Sequence, residues 1–348
     1  MIESCDTVLC KAVSMLKVRA VAILVALVFQ ALPGSGRAQS AYAGGDPARL
    51  ERSEEAMGSS FSLVLYGTDR ARLEAIADLA FREVHRLDAM LSNYRRESEW
   101  SRVNREAAAH PVEVSPELFS LLSSCLNYSR QTGGAFDVTV GALVKVWGFY
   151  KGEGHMPRQA DVTDALAKVG YRHVLLDASA RTVRFNRRGI ELDPGGIGKG
   201  YAVDRIVDLL KREGVDAALV SSSGSSIYGL GAPPDDPQGW PITIRAPRNP
   251  EDGAATVFLR DMSLSTSGSY EKFFWAEGRT YSHIMDPRTG YPARGTSSVS
   301  VLAARTLDSE AWTKPFFING RDWTRAHKPE AFRVFFCDER PQTTCSWI

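Results

Sequence analysis

One stretch of the chain combines a short apolar segment, four closely spaced glycines and the start of a helix. Residues 190–193 have the pattern of a strand, glycines follow at positions 195, 196, 198 and 200, and residues 201–212 have helical periodicity. Such a turn lets a ligand approach the backbone, and the free N–H groups at a helix start favour anions, to which Lys199 adds a positive charge. The stretch matches neither the Walker A loop nor the G-x-G-x-x-G fingerprint. Phosphate binding and a purely structural tight turn are both compatible with it.

Helical and strand periodicities follow one another irregularly along the rest of the chain. Apolar residues recur at three- and four-residue steps over residues 70–91, and a second helix is predicted over residues 116–131, ending before Gly133 and Gly134. Because strands and helices do not alternate strictly, as they would in a parallel βαβ protein, the pattern favours an α+β fold. Strands are predicted over residues 61–66, 174–176, 182–185, 190–193, 217–220, 242–245, 255–259, 299–303 and 333–336.

The charge balance and the cysteines limit the classes of function. Lys and Arg total 42 against 41 Asp and Glu, so the formal net charge is only +1. A chain this balanced has no general attraction to nucleic acid or anionic lipid, and we expect neither as its main partner. Its five cysteines contain no C-x-x-C, which excludes a zinc ribbon and a thioredoxin-like motif. Cys337 and Cys345 could form a disulfide in an oxidising compartment.

The N-terminal residues have the pattern of a signal peptide. Residues 20–29 form an apolar run too short to span a bilayer, basic residues precede it, and residues 36–38 (GRA) resemble a cleavage site. We therefore expect residues 1–38 to direct export, residues 39–52 to be a linker and residues 53–348 to form a single domain. Translation could begin at Met1 or at Met15. The protein would then be periplasmic or otherwise exported, with membrane contact only through the signal segment.

Two later clusters carry groups suited to chemistry. His283 and Asp286 stand three residues apart before a Pro-Arg-Thr-Gly turn, and an imidazole near a carboxylate can act as acid or base close to neutral pH. Asp308, Glu310 and Thr313 offer oxygen ligands of the kind that Mg²⁺ prefers. In purely structural terms, the first cluster is a turn with one histidine and the second is the capped start of a helix.

Several segments of the chain match, in order, the motifs of one family. They are residues 57–61 (MGSSF), 87–94 (LDAMLSNY) continuing through Ser98 to Asn104, 134–141 (GAFDVTVG), 193–204 (DPGGIGKGYAVD), 265–270 (STSGSY) and 283–290 (HIMDPRTG). On these motifs, which extend over nearly the whole chain after the signal segment, the protein resembles the FAD:protein FMN transferase family, the ApbE-type flavin transferases.

The resemblance implies a two-lobed α+β domain, T-fold-like, with mixed or antiparallel sheets flanked by helices. It also implies that FAD binds in a cleft between the lobes, and that Mg²⁺ assists the transfer of FMN to a Thr or Ser hydroxyl of another exported protein, releasing AMP. That acceptor would carry a flavinylation motif, which this chain lacks. A base must take the hydroxyl proton, and His283 or Asp286 is our candidate. The FAD-binding residues carried over by the resemblance are Met57, Tyr94, Ala135, Phe136, Asp137, Asp193, Lys199, His283 and Ile284.

The chain departs from the family at the metal-binding motif. By resemblance the ligands would be the Gly196 carbonyl and two side chains, where Glu310 replaces an aspartate and Lys314 replaces a threonine. An ammonium group repels Mg²⁺ and cannot ligate it. Lys314 could take over part of the cation's work, Thr313 could supply the missing ligand, or the protein could bind FAD without transferring FMN. Hydrolysis of FAD to FMN and AMP is a related alternative, and residues 223–225 (SGS) replace the family's usual Gly-Gly-Asp.

Overall fold

The computed structural model of this protein describes residues 47–249, 251–339 and 343–348, which belong to one compact unit. The predicted signal peptide, both candidate start positions and the linker as far as residue 46 lie outside the described residues. The linker prediction is wrong for residues 48–52, because they pair with the following strand and bury Leu50. Within the described ranges, no helix is both long and apolar enough to cross a membrane.

The helices confirm the main periodicity predictions. In the described residues they are α1 (Arg70–Leu91), α2 (Glu99–Glu106), α3 (Pro116–Gln131), α4 (Gly141–Val146), α5 (Gln159–Leu166), α6 (Gly198–Arg212) and α7 (Thr306–His327). Both α1 and α3 have the predicted bounds. Helix α6 begins at Gly198, inside the glycine-rich turn, and α7 is kinked at Gly320, where φ is 83°.

Within the described residues, the strands form one large antiparallel sheet and three smaller ones. They are β1 (Ala48–Ala56), β2 (Ser59–Gly67), β3 (Val112–Glu113), β4 (Val174–Asp177), β5 (Thr182–Phe185), β6 (Ala217–Ser222), β7 (Ser226–Leu230), β8 (Trp240–Arg245), β9 (Gly253–Leu259), β10 (Met262–Gly268), β11 (Phe273–Ala276), β12 (Arg279–Ser282), β13 (Thr296–Ala303), β14 (Arg333–Asp338) and β15 (Cys345–Trp347). The large sheet has the order β1-β2-β6-β7-β10-β13-β14-β15, with every neighbouring pair antiparallel. The α+β fold class is therefore confirmed.

Residues 190–193 do not form a strand, contrary to the sequence prediction. The segment shares only one isolated bridge with the residue before α4. The Asp193 N–H donates to the Val138 carbonyl at 2.7 Å, and the Gly141 N–H donates to the Glu191 carbonyl at 3.1 Å. Side chains bind the residue between them: the indole N–H of Trp100 donates to the Leu192 carbonyl at 3.1 Å, and the Leu192 N–H donates to Asn104 Oδ1 at 2.8 Å. The buried apolar residues that suggested a strand thus anchor the entry to the glycine-rich turn.

Helices α1, α6 and α7 pack over one face of the large sheet. On β2, Phe61, Leu63 and Leu65 are buried on that face, whereas Val64 belongs to a second apolar cluster that includes Trp240 of β8. Each buried side chain of this size contributes roughly 1.5–3 kcal/mol. This packing holds the N-terminus of α6 beside the first turns of α7.

A buried carboxylate joins α6 to the start of α7. Asp204 Oδ1 accepts the Thr306 N–H at 2.7 Å, and Oδ2 accepts the Leu307 N–H at 3.1 Å. Burial raises the pKa of Asp204, although these N–H groups and the nearby Arg305 favour its charged form. Because the first N–H groups of a helix have no partner within it, the carboxylate acts as the cap of α7.

The last two strands are linked covalently. Cys337 of β14 and Cys345 of β15 are opposite each other in register and form a disulfide. This is the pairing that the sequence allowed. It fastens β15 to the edge of the large sheet.

Candidate functional site

A cavity of about 570 Å³ lies around the N-terminus of α6. Its volume is typical of a small-molecule binding site. Gly196, Glu310 and Lys314 line it, whereas Asp286 and Thr313 are absent from its walls. It is also lined by every residue that the resemblance assigned to FAD, namely Met57, Tyr94, Ala135, Phe136, Asp137, Asp193, Lys199, His283 and Ile284.

The β1–β2 hairpin contributes Met57 to the cavity. The loop between the strands is Met57-Gly58, with φ of 55° and 64°, as a two-residue turn between twisted strands requires. The Met57 Cε atom lies 3.2 Å from the position that a Cβ atom of Gly198 would occupy. The hairpin tip therefore rests directly on the first residue of α6.

The glycine-rich turn is held by Asp193. Its Oδ1 atom accepts a hydrogen bond from the Gly195 N–H at 2.8 Å, and its Oδ2 atom accepts one from Asn93 Nδ2 at 3.2 Å. Burial raises the pKa of Asp193. A Cβ atom on Gly200 would lie 2.5 Å from the Thr306 carbonyl oxygen, so this position requires glycine.

The segment after α3 forms another wall through Ala135, Phe136 and Asp137. Both carboxylate oxygens of Asp137 accept hydrogen bonds: Oδ1 from the N–H and hydroxyl of Thr139, at 2.9 and 2.6 Å, and Oδ2 from the Tyr171 N–H at 2.8 Å. Burial raises the pKa of Asp137. These bonds fix the shape of the wall.

Lys199, in the first turn of α6, points to the serine-rich loop between β6 and β7. Its Nζ atom donates to Ser225 Oγ at 2.5 Å. In this loop Ser223 has φ 48°, a conformation that glycine adopts most easily. The loop offers Lys199 the hydroxyl of Ser225 as its partner.

Glu310 and Lys314 lie one helical turn apart on α7. Glu310 is only 2% exposed, and its Oε2 atom accepts the Gly200 N–H. The Lys314 Nζ atom lies 3.9 Å from Glu310 Oε1 and donates to the Glu310 carbonyl oxygen at 3.1 Å. Burial lowers the pKa of Lys314 to about 8, with Glu310 opposing and Lys199 adding to the shift. Lys314 is therefore predominantly an ammonium group at pH 7.

Thr313 and Asp308 are not part of the cavity wall. Thr313 Oγ1 donates to the Glu310 carbonyl oxygen at 2.7 Å and lies 2.8 Å from Ser267 Oγ of β10. Asp308 accepts a hydrogen bond from the hydroxyl of Tyr128. Neither side chain is part of the cavity wall that contains Glu310, and the contacts of Thr313 do not support a shift of the ligand set to it.

The donors around Glu310 do not fit Mg²⁺. Magnesium takes six oxygen ligands in near-octahedral geometry, usually including carboxylates. Here one carboxylate already binds a backbone N–H, and an ammonium stands beside it. Across the part of the chain that the structure describes, no group of three or more His, Cys, Asp or Glu residues could hold a metal ion.

His283 presents a neutral imidazole to the cavity. Its Nδ1 atom lies 3.1 Å from the Lys272 carbonyl oxygen, which can only accept, so Nδ1 carries the proton. The pKa of His283 is lowered to about 4, mainly by burial; the hydrogen bond to Lys272 opposes the shift, and the charges of Lys272, Lys314 and Lys199 add to it. The Nε2 atom therefore has a free lone pair at neutral pH and can accept a proton.

Asp286, the other candidate base, belongs to the following turn. Its two carboxylate oxygens accept hydrogen bonds from Nε and Nη2 of Arg288, both at 2.9 Å, and Oδ1 also accepts the Arg288 N–H at 2.9 Å. Both oxygens of this carboxylate are thus engaged by the neighbouring guanidinium. Of the two candidates, the structure brings only His283 to the cavity.

The cavity wall has an aromatic part that was not predicted from the sequence. The rings of Tyr94 and Tyr150 lie 4.6 Å apart, and the Tyr94 hydroxyl donates to the Tyr150 carbonyl oxygen at 2.9 Å. Phe149 and Lys272 line the cavity as well. Tyr150 follows α4 in a segment without periodicity, so no local pattern connects it to Tyr94. The sequence signal for this part of the wall was the presence of aromatic residues in the segment after α4.

These features define the class of protein. The backbone N–H groups at the start of α6 and the ammonium groups of Lys199 and Lys314 suit a ligand with phosphate groups. The neutral imidazole of His283 suits the removal of a proton from a second reactant. The site is therefore that of a protein which binds a phosphate-bearing ligand and carries a base beside it.

Comparisons with known proteins identify the family. The model of the ApbE family matches residues 57–334. The chain is 35% identical over 266 residues to an FAD:protein FMN transferase of Klebsiella pneumoniae (strain 342), covering 75% of this chain and 79% of that protein. It is 34% identical over 264 residues to the FAD:protein FMN transferase of Treponema pallidum (strain Nichols), covering 72% and 73%. The crystal structure of the ApbE protein from Thermotoga maritima has a TM-score of 0.78 at 29% identity, covering 86% of this chain and 97% of that one. The chain belongs to the ApbE family.

Proposed function

We infer that this protein transfers FMN from FAD to a Thr or Ser hydroxyl of another protein and releases AMP. Its relatives in Klebsiella pneumoniae and Treponema pallidum are named FAD:protein FMN transferases. The observation that carries the inference is the neutral imidazole of His283 in the same cavity as Lys199 and the start of α6. Binding of a dinucleotide alone would not need a base there.

The residues of the cavity divide the work of the reaction. Lys199 and the N–H groups at the α6 N-terminus bind the diphosphate and stabilise the charge that develops on it. The acceptor oxygen forms a bond to the phosphorus of the FMN half, the bond from that phosphorus to the bridging oxygen breaks, and AMP leaves with this oxygen. Nε2 of His283 takes the proton of the hydroxyl. No step is assigned to Mg²⁺, because the donors at Glu310 do not fit it.

We propose further that the protein is exported and acts on an exported acceptor that carries a flavinylation motif. The signal-like pattern of residues 1–38 supports this location. The disulfide between Cys337 and Cys345 supports it as well, since such bonds persist in oxidising compartments. N-terminal sequencing of the protein from separated cell fractions tests it; recovery of the uncleaved chain from the cytosol alone would contradict export.

The transfer is tested by incubating the purified protein with FAD and an acceptor domain that contains a flavinylation motif. We expect the acceptor to gain the mass of FMN less one water, with AMP released in equal amount. Free FMN and AMP without a mass gain would instead establish hydrolysis of FAD. Bound FAD without either product would establish a binding protein.

A further inference from the structure

We propose that the ammonium group of Lys314 is a built-in cation for the diphosphate of FAD, and that the protein therefore works without a divalent metal ion. The inference rests on the proposed function, since it concerns the same dinucleotide. It goes beyond that function because it names the group that neutralises the negative charge of the phosphates. It is carried by the positions of Lys314, Glu310 and Lys199 around the start of α6.

Lys314 is placed to reach the glycine-rich turn. Both Lys314 and Gly196 line the cavity, and the Lys314 Cε atom lies 3.5 Å from the position that a Cβ atom on Gly196 would occupy. The alkyl chain of the lysine thus lies along the turn that opens α6. Its Nζ atom is close to the N–H groups at this helix start, where an anionic ligand is favoured.

Glu310 is occupied with protein contacts. Oε2 accepts the Gly200 N–H, and Oε1 is 3.9 Å from Lys314 Nζ. This carboxylate therefore joins α6 to α7 and holds the lysine, rather than offering a free oxygen to a metal. An ammonium has three N–H donors. Lys314 uses one for the Glu310 carbonyl oxygen at 3.1 Å, and the 3.9 Å separation from Oε1 is too long for a hydrogen bond.

Lys199 supplies a second ammonium group at the start of α6. Lys199 Nζ bonds to the Ser225 hydroxyl. Lys199, Lys314 and His283 line the same cavity. Two fixed positive charges complement the two negative charges of a diphosphate.

The experiment compares the binding of FAD and of riboflavin, which lacks the phosphates, by calorimetry in Mg²⁺ and in EDTA. We expect the FAD affinity of the unmodified protein to agree within about twofold in the two buffers. Lys314→Met keeps the length of the side chain without its charge. It should weaken FAD binding more than tenfold and leave riboflavin binding within twofold. Lys328→Met is the matched control, because Lys328 follows the other end of α7, is not part of the cavity wall, and its Nζ atom donates to the Phe332 carbonyl oxygen at 3.3 Å.

Lys314→Met leaves Glu310 buried beside an apolar side chain and could unfold the domain. The double variant Glu310→Gln/Lys314→Met removes both charges, and it should fold and show the same selective loss of FAD affinity. The proposal is overturned if FAD binding by the unmodified protein depends more than tenfold on Mg²⁺, or if the folded variants bind FAD as tightly as the unmodified protein. These experiments measure binding and do not depend on transfer. Absence of FMN transfer to an acceptor would therefore refute the proposed function but not this proposal.

Discussion

The Nδ1 atom of His283 lies 3.1 Å from the carbonyl oxygen of Lys272, a residue whose backbone also accepts the His283 N–H at 3.0 Å. One peptide group therefore fixes both the main chain and the ring of the histidine. This arrangement sets the tautomer and leaves Nε2 as the proton acceptor. The imidazole is thus oriented before any ligand binds.

Replacing His283 should slow transfer far more than it weakens FAD binding. Asn in this position can still donate an N–H to the Lys272 carbonyl but cannot accept a proton as a base. We expect the rate of FMN transfer by His283→Asn to fall by about 10²–10⁴-fold, the usual contribution of a general base. Single-turnover mass spectrometry of the acceptor measures it, and calorimetry with FAD is the control. A loss below threefold would assign the base to another group.

The same histidine should make the folded protein less stable in mild acid. Its pKa is about 4 in the fold, below the ordinary value of 6.5, so the unfolded chain binds a proton more readily between these values. The contribution of His283 to the free energy of unfolding is therefore fully present above pH 6.5 and is lost as the pH falls towards 4. Urea denaturation at pH 7.5 and pH 5 should show a smaller loss for His283→Asn than for the unmodified protein. Equal losses would contradict the lowered pKa.

Gly200→Ala should destabilise the fold. A Cβ atom there would lie 2.5 Å from the Thr306 carbonyl oxygen and 2.7 Å from Glu310 Oε2, so α6 and α7 would have to separate. Overpacking of this kind costs typically about 1–3 kcal/mol. Gly196→Ala is the control for folding, because its Cβ atom would meet the nearest atom at 3.5 Å. Urea denaturation measures both, and equal stabilities would show that the helices adjust freely.

Removing the Asp204 carboxylate should also weaken the junction of α6 and α7. Asp204→Ala leaves the N–H groups of Thr306 and Leu307 without their acceptor, and we expect a loss of about 1–3 kcal/mol in the free energy of unfolding. Asp208→Ala, on the exposed side of the same helix, is the matched control and should change stability by less than about 0.5 kcal/mol. Similar losses in the two variants would mean that the cap contributes nothing specific.

Breaking the Cys337–Cys345 disulfide should lower stability moderately. The bond closes a short loop, and its loss in Cys337→Ser/Cys345→Ser should cost about 2–3 kcal/mol by the loop-entropy relation. Reduction of the unmodified protein with dithiothreitol should produce the same shift of the urea midpoint. If the urea midpoint falls in the variant but not on reduction of the unmodified protein, the loss of stability comes from the introduced serines and not from the missing disulfide.

Predictions from the sequence succeeded where burial follows a local period. Helix α1 buries one residue every three or four along its whole length, which is why its bounds could be derived. In strand β1, Leu50 is the one buried side chain before the last residue, and charged residues surround it in the sequence. Its polar composition therefore suggested a linker. What makes it a strand is pairing with β2, which no property of residues 48–52 reveals.

The candidate site was predictable as a set of motifs but not as a geometry. The motifs named Lys199, His283 and Glu310, which line one cavity. They could not show that Asp286 is bound to Arg288 or that Thr313 faces β10, because those contacts depend on how the turn and helix are oriented in the fold. The pairing of Tyr94 with Tyr150 was out of reach for the same reason.

The cavity wall is assembled from residues as far apart along the chain as Met57 and Lys314. A dinucleotide bound there would connect the first hairpin, the middle of the chain and the last long helix. Since such a ligand binds the native state only, its binding energy adds to the resistance of the whole unit to unfolding. The supply of FAD would then govern how long the protein survives proteases. Scarcity of FAD would lower the amount of the protein as well as its rate of catalysis.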